Sequence, residues 1–206
     1  MNSAATYFQA RDLTLRRGNR LVWDRAQWTL EGTTAILGAN GSGKSSTLKL
    51  LAGQLAPDEG TLSFNLKGQR REGADWMTCC SLAAPWAGIP RHLTLGEALI
   101  FHGHFMTSRL QGLGWDALLT SSGLNVDPSL PLSHWSSGQQ QRLHLALALG
   151  TDVDVVLLDE PTSNLDAEGI SWVRHAMTVL APSVMMVVAT NNPEQEAPEG
   201  ATFLAL

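Results

Sequence analysis

The eight residues GANGSGKS (residues 38–45) constrain this chain more than any other stretch. They fit the spacing G-x-x-x-x-G-K-[ST] in the context that gives it meaning. An apolar run, TTAILG, precedes them, and SSTLKLLAG follows with its leucines on one helical face and Gly53 at the stop. Gly38, Gly41 and Gly43 free the backbone to curl into a nest of inward-facing N–H groups. The start of the helix adds partial positive charge at the same point. Ala39, Asn40, Ser42 and Ser46 complete a loop shaped for the phosphates of a nucleotide. Lys44 is expected to reach the β- and γ-phosphates, and the Ser45 hydroxyl to ligate Mg²⁺.

A second motif supplies the acids that such a loop needs. VVLLDE (residues 155–160) reads as a buried strand whose C-terminal end opens on the crevice where ligands bind in parallel sheets. Asp159 is expected to hold Mg²⁺ through water, opposite Ser45. Glu160 is the candidate general base for water attacking the γ-phosphate. A late strand ends in TNNPE, without the N-K-x-D that reads guanine, so ATP is the favoured nucleotide.

The rest of the chain alternates short strands and helices. YFQARDLTL and RAQWTL read as strands around the turn RRGNR, and TLSFNL and WMTCCSLA as two more. TLGEALIFHGHF and GWDALLTSSGL suggest two helices between glycines, and a further helix is expected from about residue 167 to 180. Strand–helix alternation around a glycine loop argues for an α/β fold with a largely parallel sheet. At 206 residues and 44% apolar content the chain suits one globular domain. Its net charge of -5, with signs interleaved, offers no basic stripe for nucleic acid. Adjacent Cys79 and Cys80 cannot bridge each other along a strand and read as buried thiols of a reducing compartment. No signal sequence and no membrane-spanning run is expected, so any service to a membrane passes through a partner.

HWSSGQQQRLHLALALG (residues 134–150) decides the family. Its serines and glycine open a helix whose free N–H groups suit an anion, yet the first loop already holds its own. Here the chain resembles the ATP-binding-cassette (ABC) ATPases, whose signature is usually L-S-G-G-Q. Ser136, Ser137, Gly138 and Gln139 fill its last four places, with Trp135 at the Leu place. Residues 163–166, SNLD, resemble the D-loop ending in Asp166. The resemblance covers essentially the whole chain. It implies one cassette domain, residues 1–206, with an N-terminal antiparallel β subdomain, a mainly parallel core sheet and a helical insertion at roughly 86–145. It further implies a head-to-tail dimer with a second cassette, each ATP closed by the other's Ser136 and Gly138. The dimer would drive a separate membrane-spanning permease subunit, docked on the helical insertion at the cytoplasmic face of the inner membrane. The alternatives are a soluble, non-transport cassette of the iron–sulfur assembly type, or an ATP-dependent switch of low turnover.

Three places depart from the family pattern. The Gln that ligates Mg²⁺ and relays nucleotide state should fall near Pro85 or Trp86, and none is there. Arg17 stands where an aromatic usually stacks on adenine, which a guanidinium can also do, though a surface Arg is the plainer reading. The usual Thr-His of the late strand is Thr190-Asn191, and an amide cannot take up a proton near neutral pH. Asn191 is read as facing the γ-phosphate, with Asn192 and Pro193 as turn chemistry, and turnover is expected to be slow. Short length and the missing stacking aromatic make the chain similar to ATPase subunits of haem-exporter systems in cytochrome c maturation. His102 and His104 lack the companions of a metal site, and Trp86 and Trp115 read equally as partner anchors or as core.

Overall fold

The computed structural model describes residues 5–72, 75–110 and 115–206. β1 (Tyr7–Arg17) and β2 (Arg20–Glu31) form a hairpin, and β3 (Thr33–Leu37) feeds the glycine loop and α1 (Lys44–Leu51). β4 (Glu59–Leu66) and β5 (Gln69–Glu72) form a second hairpin, and β6 (Cys80–Ala83) leads to α2 (Leu95–Gly103), α3 (Asp116–Ser121) and α4 (Ser137–Gly150). The chain then runs through β7 (Val155–Asp159), α5 (Ala167–Leu180), β8 (Met185–Thr190), α6 (Pro193–Glu196) and β9 (Thr202–Ala205). The first sheet is antiparallel in the order β2-β1-β4-β5, and the second is parallel in the order β6-β7-β8-β3-β9.

The parallel sheet explains its own sequences. Every residue of β7 and β8 is buried, as continuous apolar runs covered on both faces must be. Between the two sheets lies a core with α1 in it. Phe8 stacks on Phe64 at 4.6 Å, Trp76 meets Phe8 edge-on at 5.9 Å, and the Trp76 indole donates to the Leu51 carbonyl at 2.6 Å. The opposite face of the parallel sheet packs on α4 and α5, through Leu145, Leu149, Val173 and Met177. A third cluster, with Ala98, Leu119, Trp135 and Leu143, holds α2, α3 and the start of α4 together.

Some sequence expectations need correction. WMTCCSLA is not one strand: Met77–Cys79 form a 3-10 turn and only Cys80–Ala83 is extended. Trp76 goes into the core, and the Cys79 N–H folds back onto the Trp76 carbonyl at 2.8 Å. Both thiols are free, and burial pushes the Cys80 thiol up, which keeps it protonated and inert. β5, sequence QRRE, carries no alternation, and its turn makes it: Lys67 and Gly68 both have positive φ, and the Asn65 side chain accepts from Gly68 N–H at 2.9 Å. The helix expected from GWDALLTSSGL is shorter, ending before Gly123 at φ 69°, while Gly114 lies outside the described residues. α2 starts where Thr94 and Glu97 form a reciprocal capping box.

Register brings three strand ends to one line. Leu37 pairs with Thr190, and Asp159 with Ala189. The glycine loop, the acids after β7 and the amides after β8 therefore leave the sheet side by side, as the rule for ligand crevices in parallel sheets requires.

Candidate nucleotide-binding site

The glycine loop is closed upon itself. A Cβ at Gly38 would lie 2.3 Å from the Ser42 hydroxyl, and one at Gly43, φ 116°, would lie 2.4 Å from Val22 of β2. Gly43 is the N-cap of α1 and no side chain caps that end, so the first-turn N–H groups remain for a ligand. The Ser42 hydroxyl is buried without a partner among the described residues. Lys44 is 5% exposed, and its ammonium donates to the carbonyls of Gly38 at 2.8 Å and Ala39 at 3.3 Å. A cradle with uncapped N–H groups, an orphan hydroxyl and a buried cation fits a polyphosphate.

Beside it stand the acids. Asp159 is 4% exposed, and its Oδ2 accepts from Ser45 Oγ at 2.7 Å and from the Trp86 indole N–H at 2.9 Å. A hydroxyl and a carboxylate together are the hard oxygen donors that suit Mg²⁺. Glu160 takes φ 45°, a left-handed backbone rare for this residue type and typical of functional sites. The Glu160 N–H donates to Ala189 O at 2.9 Å, and its Oε1 lies 3.9 Å from the Lys44 ammonium.

The amides after β8 divide as their neighbours dictate. Asn191 is exposed and donates from Nδ2 to Oδ1 of Asn40 in the glycine loop, at 2.9 Å. Asn192 stands at the N-cap position of the short α6 without a side-chain cap bond, Pro193 is at the first position, and the Asn192 amide donates to Gln195 Oε1 at 3.0 Å. Behind them sits a residue that motif reading missed. Glu196, 3% exposed, accepts from Thr162 N–H at 2.9 Å, from Thr162 Oγ1 at 2.6 Å and from Thr190 Oγ1. It ties the segment after Glu160 to the strand end before Asn191. No local spacing announces this, because its partners lie far apart in sequence.

Ser136, Ser137, Gly138 and Gln139 form a second cluster, sharing no hydrogen bond with the glycine loop among the described residues. Ser136 and Gln139 make a capping box at the start of α4: Ser136 Oγ accepts from Gln139 N–H at 3.2 Å, and Gln139 Oε1 from Ser136 N–H at 2.9 Å. The Ser136 hydroxyl proton is left for another acceptor. Only glycine fits at 138, since a Cβ would lie 2.7 Å from Asn164 O. Asp166 caps α5, accepting from Gly169 N–H at 2.8 Å and Arg142 Nη2 at 2.5 Å. The Gly169 N–H, with the Arg142 guanidinium behind it, holds the Asp166 carboxyl below its usual range. Ser136, Gly138, Arg142, Asn164 and Asp166 line one polar cavity of about 460 Å³.

Other candidates take ordinary partners. His102 bonds Thr151 Oγ1 at 3.0 Å and meets the Trp115 ring edge-on at 5.0 Å, while His104 bonds Ile100 O at 2.7 Å. Arg17 donates from Nη1 to the Arg16 carbonyl at 2.8 Å, while its buried Nη2 has no partner among the described residues. Arg20 reaches the glycine loop, its guanidinium 3.6 Å from a Cβ placed on Gly41.

Two sheets, a glycine loop, an acid pair and a separate capped helix start are the parts of an ATP-binding cassette. Residues 27–163 match the model of the ABC transporter family, and the chain belongs to that family. A cytochrome c biogenesis ATP-binding export protein of Rhodopseudomonas palustris (strain HaA2), CcmA, is 33% identical over 190 residues, 89% of this chain and 90% of its own. The fold is shared with a Pyrococcus furiosus protein solved under the name "Putative ABC transporter (ATP-binding protein)", at TM-score 0.76 and 20% identity, covering 97% of both chains. It is shared too with MJ0796, a bacterial ABC transporter cassette solved as a dimer, at TM-score 0.78 and 19% identity, covering 96% of this chain and 94% of that one.

Proposed function

We propose that this ABC ATPase subunit hydrolyses Mg·ATP between two cassettes and thereby drives a separate membrane-spanning subunit. The observation that carries the reading is the convergence of Lys44, Ser45, Asp159, Glu160 and Asn191 on the glycine loop. Lys44 and the loop N–H groups bind the phosphates, and Ser45 and Asp159 hold Mg²⁺. The metal, when bound, neutralises phosphate charge. Glu160 takes the proton of the attacking water, with its carboxylate already beside the Lys44 ammonium. Asn191 orients that water or the γ-phosphate through its amide and hands on no proton. Asn191→His is expected to raise turnover by about tenfold or more in a phosphate-release assay. An unchanged rate would leave Asn191 as the end of a strand.

The second cluster supplies the other half of the site. Ser136, with its free hydroxyl proton, and the Gly138 backbone meet the γ-phosphate held by the facing cassette. Ser137, Gln139 and Asp166 shape that surface. Support comes from MJ0796, a cassette solved as a dimer. ADP lacks the γ-phosphate, so hydrolysis loosens the dimer, and the conformational work is this ligand-dependent equilibrium.

The membrane partner docks on the helical side of the molecule, residues 86–145 forming the insertion. Phe105 is 72% exposed and Ile100 65%, and the Phe101 and Phe105 rings meet at 5.4 Å. A groove of about 420 Å³ lies alongside, lined by Met77, Phe101, His102 and Met106. Exposed apolar side chains gathered in this way suit a protein–protein contact. Among the described residues no helix is long and apolar enough to cross a membrane itself. On this reading the chain sits at the cytoplasmic face of the inner membrane, held there by its partner, and the export role printed for the CcmA relative supports it. Affinity purification from detergent-solubilised membranes is expected to yield a stoichiometric membrane-spanning subunit, lost on Phe101→Asp with Phe105→Asp. A soluble scaffold in its place would favour a non-transport cassette.

A further inference from the structure

We propose that Trp86 is a positioning residue for the cation site, its indole N–H setting the Asp159 carboxylate for the metal that accompanies the nucleotide. The inference rests on the reading of Ser45 and Asp159 as the pair that holds the cation, Asp159 directly or through a water. Two donors converge on Asp159 Oδ2, Ser45 Oγ at 2.7 Å and Trp86 Nε1 at 2.9 Å. Among the described residues no donor reaches Oδ1. The carboxylate is thus held by one oxygen and offers the other.

Trp86 is suited to hold and not to ligate. An indole N–H is donor only, so it cannot enter a cation's shell as an amide oxygen can. Its ring is fixed from a second side, with the Lys49 ammonium of α1 lying 4.4 Å from the ring centroid. The indole therefore bridges the helix that follows the phosphate loop and the strand that carries Asp159. It also stands in the turn closed by Ala87 N–H on Ala84 O at 3.0 Å, just after β6 and ahead of α2. Any rotation of Asp159 on metal binding is felt first at that turn. The position that lacks a metal-ligating Gln thus carries a residue that acts on the metal through its ligand.

Outer-shell donors to ligating carboxylates are worth about 10- to 100-fold in metal affinity. Trp86→Phe keeps a ring over Lys49 and removes the N–H. It is expected to weaken Mn²⁺ binding to the ADP-loaded protein by about tenfold, read by electron paramagnetic resonance. ATP binding in EDTA should stay at the wild-type value. Benzothienylalanine at position 86, with sulfur in place of N–H, keeps the indole outline and should reproduce the loss. Unchanged Mn²⁺ affinity in both variants overturns the proposal. An equal loss of metal-free ATP binding also overturns it, because Trp86 would then be a structural prop. Asp159→Asn separates the two layers. If it leaves Mn²⁺ affinity intact, the ligand reading itself fails. If it abolishes Mn²⁺ binding while both Trp86 variants keep it, the role of Trp86 alone fails.

Discussion

Glu160→Gln is expected to bind ATP at least as tightly as wild type and to hydrolyse it roughly 10²- to 10⁴-fold more slowly, the range that a general base contributes. The substitution keeps the side-chain volume and the left-handed backbone at φ 45°, and removes the proton acceptor. With the γ-phosphate retained, cassettes should accumulate as an ATP-bound dimer, seen as a shift in elution on size-exclusion chromatography in Mg·ATP. The same change removes a carboxylate 3.9 Å from the Lys44 ammonium, so phosphate affinity should rise slightly and not fall. Turnover surviving within a few-fold of wild type would remove Glu160 from the base role.

Lys44→Ala should lower ATP affinity by about 100-fold, as the loss of one or two charge-assisted hydrogen bonds implies. Titration calorimetry reads this directly. The ammonium also satisfies the Gly38 and Ala39 carbonyls, so a melting curve belongs beside the titration. A small drop in melting temperature with a large loss of affinity separates phosphate binding from loop folding. Unchanged affinity would sink the assignment of this loop to the phosphates.

What could be read from the sequence follows a physical line. The glycine loop and VVLLDE are local motifs, whose chemistry needs particular residues at fixed short spacing. The parallel sheet was legible because doubly buried strands leave unbroken apolar runs. The pairing of Ser45 with Asp159, distant in sequence, could be read only because each belongs to a motif whose ends meet. Trp86 and Glu196 had no such help. Trp86 sits where a Gln was sought, and its absence of oxygen hid the donor that reaches Asp159. Glu196 belongs to no motif, yet it is buried, with three donors from Thr162 and Thr190. β5 was missed because its turn, and not its alternation, makes the strand.

The exposed face at Ile100, Phe101 and Phe105 has a consequence for the cell's bookkeeping of subunits. On the proposed docking, a copy made without its membrane partner holds those rings in water, where the same apolar surface attracts other copies and quality-control proteins. Synthesis in step with the partner, or rapid removal of the surplus, then governs how much of this ATPase a cell can keep. An orphan copy should have a shorter lifetime than an assembled one, and the burial of that face is the signal that tells them apart.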